Sequence, residues 1–347
     1  MNWRIPYTII LVIAWIAIGY LYIDYSLDSP NRSEEIYITI PEKSSVKKVG
    51  EILVQNKIIN KDWFFAYYIK LKGISIKAGD YSIKPNETLD DVLKKLVEGK
   101  DEGVKVTIAE GSNVMDIANK LKEKGLDSEG FLKALENRQP KYAFEKQISD
   151  DSRRYFRLEG YLFPTTYFFH PKEKPEKIVD EMLKQFDMKI KKYEGSIKGK
   201  SIHGQPLTLE QVVTIASLVE REAKRKEEFK KISGVIYNRL NKPNDPNFKK
   251  LQLDASRNFA QKMESQFRKG LARYYDTYIQ TGLPPGPIAS PGERALEAAV
   301  NPEVHQYYYY VVKGDGSGFH FFSSTFAEHR RYIQMSNQNQ KKRASSS

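Results

Sequence analysis

The chain has no cysteine among its 347 residues, which excludes disulfides and thiolate chemistry and leaves the compartment open. Histidine is scarce, and no His-Glu-x-x-His pattern occurs. His320 and His329 lie too far apart in sequence to suggest a ligand pair, so no metal or other cofactor is expected. Acidic residues are outnumbered, 44 against 56 Lys and Arg, a net charge of +12. Such a surplus suits an anionic partner: a membrane surface, a cell-wall polymer or nucleic acid. The basic residues are spread along the chain without an arginine-rich run or a nucleic-acid motif, so nucleic acid is not an expected partner. Long apolar runs are nearly absent as well; there is one, Tyr7 to Ile23.

That run carries no charge, is near the lower length limit for crossing a bilayer, and includes Trp15 and several tyrosines. A cleaved signal peptide is the alternative. Against it, Tyr20, Tyr22 and Asp24 stand where a small-x-small cleavage site would be needed. The expectation is an uncleaved transmembrane helix over 7–23. Arg4 precedes it and Asp24 and Asp28 follow, which puts residues 1–6 in the cytoplasm and the rest outside. Residues 24–35 read as a linker.

Length allows two or three domains, and 40% hydrophobic with 29% charged residues is ordinary for a folded chain. An internal repeat follows the linker. ITIPEKSSVKKVGEILVQNKIINKDWF from Ile38 aligns with VTIAEGSNVMDIANKLKEKGLDSEGFL from Val106, a spacing of about 68 residues. Each copy reads as a strand, a turn, an amphipathic helix and a second helix start, with Val49 and Leu53 matching Ile117 and Leu121. Two copies are too few for a solenoid.

The carboxylates that look misplaced for a solvated surface lie in TLEQVVTIASLVEREAKRKEEFKKISGVIYNRL, Thr208 to Leu240, which reads as two helices. Thr208 and Gln211 form a capping-box start. At about 100° per residue, Glu220 falls between Ala216 and Val213 and Glu222 between Leu218 and Ile215. Both lie inside an apolar arc, where a carboxyl keeps its proton near neutrality, as a general acid needs. The competing reading is a pair of surface ion pairs, Glu220 with Lys224 and Glu222 with Lys226. Periodicity does not separate the two glutamates.

IASLVEREA resembles the catalytic segment of the endolytic murein transglycosylases, the YceG-like family, usually written A-S-I-V-E-K-E. RLEGYLFPTTYFF from Arg157, LQLDAS from Leu251, YDTYIQTGLPPGPIASPG from Tyr275 and HFFSSTFAEH from His320 match in the same order. The family usually has Asp where this chain has Thr165, so no role is assigned there. The resemblance implies an α+β protein: an N-terminal transmembrane helix, a LysM-like α/β module over 36–140, and a mixed α+β catalytic domain over 141–335. The LysM-like module either binds glycan or serves as a spacer. Residues 336–347 are polar and basic and are expected to be a disordered tail.

The resemblance makes Glu220 the catalytic residue. Gln252 and Asp254, two apart on an extended chain, face the same way and suit sugar hydroxyls. Tyr275, Thr277, Thr281 and His320 complete the expected substrate-binding set, and the Gly/Pro segment after Thr281 makes a stiff loop. Glu159 is a candidate second carboxylate or a structural one. The implied activity is endolytic, non-hydrolytic cleavage of the bond between N-acetylmuramic acid and N-acetylglucosamine in nascent peptidoglycan, leaving 1,6-anhydro ends. It would take place beside the peptidoglycan synthases, from a single-pass anchor in the cell (inner) membrane. The alternatives are a hydrolase pairing Glu220 with Glu159 or Asp254, and a wall-binding scaffold without activity.

Overall fold

A computed structural model describes residue 15 and residues 35–85, 87–99, 103–169 and 171–345. The apolar run over 7–23, apart from Trp15, lies outside the described residues. Among those described, no helix is long and apolar enough to cross a membrane. The chain divides into two compact units, one holding residues up to Lys105 with Phe168–Lys172, the other Val106–Tyr167 with Glu173 onward.

In the first unit, β1 (Ile36–Ile40) and β2 (Gly79–Ile83) pair antiparallel, with Ile38 opposite Tyr81. Between them come α1 (Val46–Gln55) and α2 (Asp62–Lys72), and after them α3 (Leu89–Glu98). The core follows from the helical spacing of Val49 with Leu53 and of Phe65 with Ile69, closed by Val92 and Leu96. Thr88 and Asp91 cap α3 reciprocally, as a Thr-x-x-acid start favours.

The second copy of the repeat folds like the first. Strand β3 (Val104–Thr107) leads to α4 (Val114–Glu123) and α5 (Ser128–Glu136). Ser45 and Asn113 are the matching N-caps, and Ile58 and Leu126 close matching turns onto Leu53 and Leu121. The division between the compact units falls at 105–106, so this copy belongs to the second unit. The cause is packing: α5 lies against α6 (Pro175–Ile190), and Glu159 accepts from the head of α4. β3 pairs with β4 (Thr166–Phe169).

The second unit continues through α7 (Glu194–Lys198), the short β5 (Ser201–Ile202) and β6 (Gln205–Pro206), α8 (Leu209–Glu222), α9 (Phe229–Leu240), α10 (Asp254–Gln266), α11 (Ala272–Tyr275) and α12 (Glu293–Val300). Every residue of α8 from Val212 to Val219 is buried, with α9, α10 and α12 packed around it. A helix apolar on nearly all sides has to lie inside the fold. Strands β7 (Tyr309–Val312) and β8 (His320–Ser323) pair antiparallel as a hairpin. The tail expected to be disordered is helical: α13 runs Phe326–Ala344. Thr325 and Glu328 cap its start, Ser336 is buried, and Asn339 donates to the Lys313 carbonyl at 2.8 Å. Composition alone hid those anchors.

Candidate active site

Helix α8 starts at the Thr208–Gln211 capping box and ends at Glu222, with Ala223 already extended. The two i,i+4 ion pairs need Lys224 and Lys226 on the same helix, and both lie past its end. Glu220 and Glu222 thus sit in the last turn, at the pole that disfavours negative charge.

Glu220 is half-buried, and its Oε2 accepts from the Gly292 amide at 2.9 Å. Its other oxygen has no hydrogen bond among the described residues and is not sealed from solvent. Burial pushes the Glu220 carboxyl up; the Gly292 bond opposes this, the charge of Glu110 adds to it, and Lys226 and Arg221 oppose it. The result is a carboxyl inclined to hold a proton, with one edge fixed and the other reachable.

Glu222 differs. Its carboxylate accepts from the Ala255 amide at 3.0 Å and from the Tyr310 hydroxyl at 2.9 Å. It ties the end of α8 to the head of α10 and to β7. Burial also pushes this carboxyl up, but both oxygens are taken.

The Gly/Pro segment explains how Gly292 arrives. It runs alongside α8 from its head to its end. Arg154, paired with Glu210, donates to the Pro285 carbonyl; the Ile288 amide donates to Ser217 Oγ; the Gly292 amide reaches Glu220. The turn after β3 docks on the same segment, Gly111 donating to Ser290 and Ser290 to Ser112 at 2.9 and 2.8 Å. Gly111 has φ +79°, and a Cβ there would lie 3.3 Å from Arg221 Cδ and 3.6 Å from Glu220 Cγ. The segment is a track that places a donor, more than a groove wall.

The expected binding residues scatter. Gln252 has φ +52° and Asp254 begins α10, so they are not on an extended strand and the shared-face argument fails. Both are exposed, and Asp254 accepts from Tyr278 at 2.9 Å. Tyr275 is fully buried between Tyr155 and Phe259, a core position. Thr277 is buried too, with Oγ1 joined to both the amide and the carbonyl of Leu253. Both are packed into the frame of the fold. Thr281 lines a polar cavity of about 660 Å³ beside Glu210 and Thr214, at the head of α8 and away from Glu220. His320 is engaged by Glu228 at 2.7 Å and stands edge-on to Tyr310. No group of His, Asp and Glu suited to a metal ion occurs among the described residues.

Glu159 is sealed at 1% exposure beneath α4, where it accepts from the Val114 amide at 3.1 Å. Burial raises its carboxyl to about 8. A raised folded value means stability is greatest in acid and declines as pH climbs from the unfolded value toward 8. Between about pH 5 and about pH 8 the stability of the wild type should fall relative to that of Glu159→Gln, by a few kcal/mol at about 1.4 kcal/mol per unit. Thermal melts across that range check this, and parallel curves would contradict it.

Sequence reasoning missed Glu110, Gly111 and Gly292, and weighed Lys226 as a partner of Glu222 where the structure pairs it with Glu110. One signal was present: the second copy of the repeat has Glu110-Gly111 where the first has Glu42-Lys43, and both Lys43 and Gly111 take positive φ.

The YceG-like family model matches residues 38–335. The endolytic murein transglycosylase of Bacillus subtilis is 32% identical over 317 residues, covering 85% of this chain and 83% of that protein. The endolytic murein transglycosylase of Streptococcus pneumoniae strain D39 is 31% identical over 325 residues, covering 85% of this chain and 58% of that longer protein. The crystal structure of a YceG-like protein from Listeria monocytogenes superposes with a TM-score of 0.55 at 29% identity, covering 86% of this chain and 99% of that one. On the extent of the family match and this identity, the chain belongs to the YceG-like family.

Proposed function

We propose that the chain is an endolytic lytic transglycosylase that cuts the bond between N-acetylmuramic acid and N-acetylglucosamine in nascent peptidoglycan. The observation that carries this is Glu220: desolvated, held through one oxygen by Gly292, and open at the other. The names of the relatives support the substrate class.

The protonated Glu220 gives its proton to the glycosidic oxygen, and the bond from the muramic anomeric carbon to that oxygen breaks. The sugar's own acetamido oxygen relieves the positive charge at the anomeric carbon. Glu220, now ionised, accepts the proton of the C6 hydroxyl as that oxygen bonds to the anomeric carbon. The carboxyl ends as it began, and water is not consumed. Because the attacking hydroxyl is tethered, its effective concentration is high and a second protein nucleophile is unnecessary. Analysis of products from purified peptidoglycan for anhydro ends tests the reaction.

The anchor belongs to the same reading. Residues 7–23 would hold the enzyme at the membrane beside the synthases, with both compact units outside. A chain beginning at Asp28 is expected in the soluble fraction and folded, and the full chain in the membrane fraction; a shortened chain that stays with membranes contradicts the anchor. The order strand–helix–helix–strand in the first unit supports a LysM-like module there.

A further inference from the structure

Among the described residues, the charges that act on Glu220 are Glu110 from the turn after β3, Lys226 from the link to α9, and Arg221 from its own helix. On the segment packed against it, Glu293 follows Gly292 but is engaged by Lys189 and Lys192. We propose that Glu110 is a positioning residue of this site, which, paired with Lys226, braces the peptide that donates to Glu220 and sets the charge the general acid meets. This rests on Glu220 being that acid.

Geometry comes first. The Glu110 carboxylate packs against Gly292 so closely that any Cβ there would collide with it. Gly292 is the residue whose amide holds Glu220. One peptide is therefore flanked by two carboxylates, and glycine is what lets both approach. Lys226 forms an ion pair with Glu110.

A purely stabilising role explains little. The side chains of Lys226 and Glu110 are 40% and 34% exposed, and such pairs contribute only about 0–1 kcal/mol. The repeat provides an internal comparison. In the first copy the matching Glu42 and Lys43 are both exposed. Only the second copy turns this glutamate toward another carboxyl, and only there is the next residue glycine, with Glu220 and Arg221 against it.

The charge logic suits a group that is acid first and base second. A neighbouring anion discourages Glu220 from ionising before substrate arrives, and Lys226 with the Gly292 amide steadies the anion formed once the proton has moved.

The test compares the full-length enzyme with Glu110→Gln and Lys226→Met, measuring kcat/KM on purified peptidoglycan from about pH 4 to about pH 9. Removing the anion should move the alkaline limb to lower pH, and removing the cation should move it to higher pH, with thermal melts confirming that both variants fold. Limbs that superimpose on the wild type, or that move in the same direction, overturn the proposal. Glu220→Gln in the same assay separates the two claims. If it cleaves normally, the acid assignment has failed; if it is inert while the Glu110→Gln limb stays in place, only the role of Glu110 falls.

Discussion

Glu220→Gln is expected to slow peptidoglycan cleavage by at least about 10²- to 10⁴-fold, the range a positioned general acid supplies, with little change in unfolding temperature. The amide keeps the size of the carboxyl, and its oxygen still accepts from Gly292. Glu220 makes no other hydrogen bond among the described residues, so what is lost is the transferable proton. Glu222→Gln should show the reverse. It is expected to keep substantial activity and to lose stability, because two donors converge on that carboxylate and an amide turns its NH₂ toward one of them. The cost is of order 1–3 kcal/mol, as for leaving one buried partner unsatisfied. Turnover and thermal melts on both variants check the pair. An active, destabilised Glu220→Gln beside an inert, stable Glu222→Gln would exchange their roles.

What sequence reading reached was local. The Thr208–Gln211 cap and the apolar arc of α8 are each specified within one element, where period and capping chemistry act directly. The repeat was legible for the same reason. The choice between two glutamates two residues apart was not, because their environments come from Gly292 on one side and from Ala255 and Tyr310 on the other. Tyr275 and Thr277 looked like ligands from residue type. Their burial depends on Tyr155, Phe259 and Leu253, which no local pattern connects to them. Gln252 and Asp254 looked paired on a strand, and a left-handed residue followed by a helix start removes that register. Glu110 escaped notice because it reads as one more turn residue until the fold lays its turn on Ser290 and Gly292.

The substrate-assisted mechanism rests on one carboxyl serving as acid and then as base, and a second carboxylate could instead activate water. Glu159 is sealed beneath α4, and Asp254 is turned to Tyr278. Glu110 is near enough to influence Glu220, but Lys226 holds it as a paired anion against Gly292. A hydrolase would add one water at the muramic anomeric carbon through such a base or nucleophile. The most direct measurement is digestion of purified peptidoglycan in water enriched in heavy oxygen, with mass spectrometry of the muramic ends. The account predicts 1,6-anhydro-N-acetylmuramic acid termini, lighter than the hydrolytic product by one water and free of label. Reducing muramic termini carrying the heavy isotope would contradict it and make this a two-carboxylate hydrolase.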